Sequence, residues 1–120
     1  MDAYLKDLHP NNQLLIKLMQ KYTFGSIENL IVKNGIPCLQ NNPRLLWKVH
    51  FGFDSHIKKE VINSNFKLKK SHVELIQTFN LFKNMEVCIR KIDFHDGLPK
   101  IGSIELSPEH FLKNMRYPPF

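Results

Sequence analysis

Apolar residues first recur at helical spacing from Leu14: Leu14, Leu15, Leu18, Met19 and Tyr22 share one stripe of a helix about three turns long. His9-Pro10 followed by Asn11-Asn12 is a start signal, because proline suits a first helical turn and Asn side chains can accept from free amides. Gly25 is placed to help end the helix. From Ile27 to Leu39 the spacing shortens around Asn34-Gly35, the dipeptide best able to adopt the positive φ angles of a tight hairpin turn, and a hairpin is predicted.

After the Asn41-Asn42-Pro43 loop, Leu45, Trp47, Val49, Phe51 and Phe53 alternate with other residues. This period of two predicts a nine-residue strand with its aromatic face inward. A short helix is expected after Asp54 or Ser55, carrying Ile57, Val61 and Ile62. Ser71 and Glu74 have capping-box spacing and open a second long helix with Val73, Leu75, Ile76, Phe79 and Phe82 on its stripe. Met85, Val87, Ile89, Ile92 and Phe94 then lead into Asp96-Gly97 and on to Ile101 and Ile104, a second hairpin. The change of phase between Ile89 and Ile92 predicts a β-bulge. Ser107-Pro108-Glu109 signals a final helix running to about Met115.

Placing Gly35 on Gly97 aligns Ile27, Leu30, Val32, Ile36 and Pro37 with Ile89, Ile92, Phe94, Leu98 and Pro99 without a gap. A helix on a two-stranded ribbon is too small to hide its own apolar face, whereas two copies can cover each other. The expectation is an α+β fold of two helix-plus-hairpin units, spanning approximately residues 10–40 and 70–106. Their hairpins form a mainly antiparallel sheet with the helices packed on one face. Residues 1–115 are expected to form a single α+β domain and 116–120 a C-terminal tail.

A hydrophobic content of 42% with 23% charged residues agrees with an ordered chain, and 120 residues can bury one sizeable core. Asp2, Lys6, Asp7 and Pro10 interrupt any leader-like apolar run, and no stretch reaches the ~18 apolar residues of a membrane span. Two cysteines, Cys38 and Cys88, do not make a disulfide framework. A cytoplasmic protein without membrane contact is the natural expectation. The net charge of +6 favours acidic partners. It is concentrated in Lys58, Lys59, Lys67, Lys69 and Lys70, with Glu60 the one acid among them.

The five glycines form neither a P-loop nor a dinucleotide fingerprint, and no Gly-x-Ser-x-Gly elbow or His-Glu-x-x-His zinc motif occurs. Asp93 and His95, alternate residues of one strand, could share a metal or a proton, and His50 from the other strand could join them. The solvent face of a hairpin explains this pair better, and the Asp-Gly turn already explains Asp96. No metal site is therefore assigned, and no cofactor is expected. His9, His56, His72 and His110 stand alone and read as surface residues. Neither cysteine is flanked by the cations or helix start that would activate a thiolate.

By elimination, the expected function is non-enzymatic: an interaction module binding a partner protein or a second copy of itself. The alternative is nucleic-acid binding, with Lys58, Lys59, Lys67, Lys69 and Lys70 neutralising phosphates around Phe66 and His72. Only three arginines (44, 90, 116) are present for specific base contacts. The sequence Arg116-Tyr117-Pro118-Pro119-Phe120 has the stiff aromatic composition of groove-docking segments, or of a tail that packs on its own domain.

Overall fold

His9 starts the first helix as its position before a proline predicts. The imidazole Nδ1 accepts the Asn11 amide at 3.0 Å, and Pro10 takes the first helical position, where a missing N–H costs nothing. The computed structural model describes residues 3–52 and 65–106. Over that range the order is α1 (Pro10–Tyr22), β1 (Gly25–Lys33), β2 (Ile36–Cys38), β3 (Arg44–Trp47), α2 (Lys70–Asn80), β4 (Glu86–His95) and β5 (Leu98–Glu105). The expected short helix after residue 54, the final helix after residue 107 and the 116–120 tail lie outside the described residues.

The strands form one five-stranded sheet in the order β2-β1-β4-β5, with β3 sharing the outer side of β1 with β2. Every pairing between these strands is antiparallel. Both hairpin turns have two successive positive φ angles, 53° and 79° at Asn34-Gly35 and 53° and 77° at Asp96-Gly97. Asn and Asp tolerate that region and Gly is unstrained in it, which is why these dipeptides close the hairpins.

Ile27, Leu30 and Val32 of β1 meet Val87, Ile89, Ile92 and Phe94 of β4, and the same core takes Leu15 and Met19 from α1 and Phe79 from α2. Truncating one of the largest of these, such as Phe94, would cost about 3–5 kcal/mol. The spacing of three between Ile27 and Leu30, and again between Ile89 and Ile92, keeps both pairs inward. At that point Asn29 has φ 58°, and the pairing of β4 with β5 slips between Ile89 and Lys91. The bulge thus falls where the change of phase predicts it.

A smaller cluster of Leu5, Ile16 and Leu68 closes the other side of α1. It is stitched by backbone bonds from Leu5 N–H to the Phe66 carbonyl (2.9 Å) and from Leu68 N–H to the Ala3 carbonyl (2.7 Å). No helix among the described residues is long and apolar enough to cross a membrane.

Four local expectations are corrected. Thr23, with φ 64° and its N–H returned to the Met19 carbonyl, ends α1, not Gly25. Gly25 instead opens β1, where a Cβ would run into the Leu46 carbonyl oxygen. Leu14 is exposed, and Ile16 takes a buried place on the second cluster. Ser71 does not cap α2, which begins at Lys70, and its Oγ is buried without a hydrogen-bond partner.

The fourth concerns β3. The nine-residue strand expected from Leu45 shrinks to Arg44–Trp47, and Trp47, Val49 and Phe51 are exposed rather than inward. Trp47 pairs with Gly25, the first residue of β1, so residues beyond it run past the end of their partner strand. Lys48 N–H bonds the Phe24 carbonyl at 2.9 Å, and the chain turns at Phe51-Gly52.

Candidate functional site

Of the residues singled out as a possible metal or proton site, the two histidines meet one ring. Phe24 stands between His50 and His95, with ring centroids 5.4 and 6.0 Å away. Asp93 is directed to Lys91, 3.7 Å from its ammonium. Among the described residues no group of three His, Cys, Asp or Glu side chains is placed to hold a metal. Both cysteines are half-buried free thiols.

Of the five lysines, Lys58 and Lys59 lie outside the described residues. Lys67 forms an isolated bridge with Tyr4, Lys69 precedes α2, and Lys70 lies 4.0 Å from Glu74 one helical turn on. Across the sheet face turned away from the core, cations are matched by acids: Lys33 with Glu86 at 3.6 Å, Arg90 with Glu105 at 2.8 Å, and Lys91 with Asp93. Among the described residues, each of these cations on that face is offset by an acid.

His72 is where sequence reasoning went furthest wrong. It is fully buried, not a surface residue. The Lys69 N–H donates to its Nδ1 at 3.2 Å, which leaves the ring proton on Nε2, aimed at the Gly97 carbonyl 3.1 Å away. Gln20 of α1 donates to the same carbonyl at 3.0 Å. The 3.4 Å contact between the Gln20 and His72 nitrogens is therefore two donors side by side, not a bond. One carbonyl in the second turn joins α1, α2 and the β4–β5 hairpin. Burial holds the imidazole below its ordinary pKa; the Gly97 carbonyl opposes this, and the Lys69 charge adds to it. The signal was available, since His72, Ile76 and Phe79 stand at helical spacing on one stripe.

The second feature missed by sequence reasoning is apolar surface. Leu46, Trp47, Val49 and Phe51 are all exposed within six residues, Phe51 to 89%. Tyr22 supports Trp47 edge-on at 5.8 Å between ring centroids, and Lys21 lies over the Tyr22 ring at 5.6 Å. Trp47 thus has a fixed base in α1, Leu46 faces the other side of the sheet, and Val49 and Phe51 carry the exposed apolar run beyond the end of the strand.

No protein-family model matches this chain, and neither a curated protein nor a solved structure matches it.

Proposed function

We propose that this chain is a non-enzymatic interaction module that binds a partner protein, or a second copy of itself, through the surface formed by Leu46, Trp47, Val49 and Phe51. The observation that carries this is the concentration of large apolar side chains where β3 runs past β1. Scattered exposed apolar residues are ordinary, but four large ones within six residues at the end of a strand favour a contact surface. Covering Phe51 alone would contribute roughly 1.5–3 kcal/mol. The firm base under Trp47 limits the ordering cost of binding.

Sedimentation velocity over a range of concentrations, together with affinity capture by the tagged full chain, tests the proposal. The Val49→Ser/Phe51→Ser double variant should fold normally, because neither side chain lies in the core, and should lose the association. Unaltered association would overturn the assignment. Loss of the captured material on nuclease treatment would favour the lysine-based nucleic-acid alternative.

The two helix-and-hairpin units are copies of one design within this proposal. The supporting observation is burial: from Leu30 to Pro37 and from Ile92 to Pro99, buried, half-buried and exposed positions succeed one another in the same order. Each turn also contacts the other unit's helix, Gly35 meeting the Phe79 carbonyl and Gly97 meeting Gln20. In the same sense, Asn34 N–H bonds the Met85 carbonyl and Gly97 N–H the Thr23 carbonyl, both at 2.9 Å. An interaction surface then arises where one copy departs from the other.

A further inference from the structure

Among the described residues β5 pairs with β4 alone and presents its other side as an unpaired sheet edge. Beside that edge, between β5 and α2, lies a groove of about 250 Å³. Leu75, Phe79, Ile92 and Ile104 form its apolar walls, with Lys100 and Glu74 on opposite rims. Ser71, whose buried Oγ has no hydrogen-bond partner, lines it as well. Glu74 is drawn toward Lys70 at 4.0 Å, so its charge is partly offset within α2.

We infer that this groove is a second binding site, separate from the β3 surface, and that it takes an extended acidic segment of a partner protein as an added strand along β5. An unpaired strand edge selects an extended backbone, since only that shape matches its alternating donors and acceptors. Alternate side chains of the added strand would fall on the helix side of the sheet and enter the groove, which is sized and lined for an aliphatic residue. Ile101, 67% exposed and also lining the groove, would offer the added strand further apolar contact. Acidic character is favoured by Lys100 on the strand rim and by the +6 charge of the whole chain. A basic segment would meet the same field as repulsion. Ser71 Oγ would gain a partner if the incoming chain offers a polar atom at the groove floor.

The probe is a fluorescein-labelled peptide of alternating valine and aspartate, titrated into the full chain and monitored by anisotropy and by amide shifts in ¹⁵N spectra. Binding should move the amides of Lys100 to Ile104 and of Ser71 to Phe79. It should be lost when alternate peptide nitrogens are methylated, because the strand hydrogen bonds are then removed. Replacing aspartate by lysine, or Lys100→Glu in the protein, should weaken binding about fivefold. Thr78→Trp should fill the groove and exclude the peptide. Lys100→Glu keeps the test decisive if that larger change perturbs folding, since Lys100 is exposed. Equal binding of the methylated peptide, shifts confined to residues 44–51, or no shifts on β5 would each overturn the inference. The last two outcomes leave the β3 surface to be judged by its own variant.

Discussion

The first helix and hairpin and the second use the same turn, yet they differ in how the turn is held and in the strand that leaves it. Gly35 rests on backbone: a Cβ there would lie 3.1 Å from the Phe79 carbonyl. Gly97 sits beneath a polar latch, its carbonyl receiving both His72 and Gln20, and a Cβ there would lie 2.8 Å from the Gln20 side chain. After the turn, the second unit returns as one eight-residue strand, β5. The first returns as three residues, breaks, and resumes as β3, which overruns β1. Closely similar turns thus sit under a polar latch in one unit and beside an exposed apolar run in the other. Long-range neighbours, not the turn, decide which.

The latch predicts the largest difference. His72→Ala should cost about 3 kcal/mol, combining the lost packing of a buried ring with a Lys69 N–H and a Gly97 carbonyl deprived of a partner. Urea unfolding would measure it, and a cost near that of an exposed residue would show that the latch contributes little. Gly97→Ala should cost about 2–3 kcal/mol, because left-handed strain is joined by displacement of Gln20. Gly35→Ala should cost about 1–2 kcal/mol, mostly from that strain. Equal losses in these two variants would erase the contrast between the turns.

Acid should reveal the same junction. Unfolded, His72 titrates at its ordinary value of 6.5; buried in the native state, it titrates lower. Between the two values the unfolded chain binds more protons. The contribution of His72 is therefore complete above pH 6.5 and is lost as pH falls toward the native pKa, at no more than about 1.4 kcal/mol per pH unit. In His72→Gln this component of the slope should vanish, and an unchanged pH profile would assign the effect to other groups. The smallest effect is expected for the exchange Asn34→Asp with Ile36→Leu, which writes the second turn's residues into the first. It should shift stability by less than about 0.5 kcal/mol, since Asp and Asn both tolerate the positive φ.

Much of this architecture was legible locally. The stripe from Leu15 to Met19, both Gly-containing turns and the phase change between Ile89 and Ile92 are short-range signals, and each corresponds to an element or irregularity in the fold. What could not be read depended on distant partners. The alternation from Leu45 to Phe53 describes a strand with something to pair against; nothing in it says that β1 begins at Gly25. Standing alone in the sequence, His72 reads as a surface residue. Its burial needs the Gly97 carbonyl, 25 residues on, to accept its proton. The candidate surface was illegible for the first reason and the latch for the second.

The exposed end of β3 is the central functional claim, and affinity capture from a lysate of the source cell, with tagged wild type and the Val49→Ser/Phe51→Ser variant compared side by side after nuclease treatment, tests it most directly. The predicted result is a protein partner, or an untagged copy of the chain, retained by the wild type and lost from a variant of unchanged stability. Equal retention by both chains would contradict it.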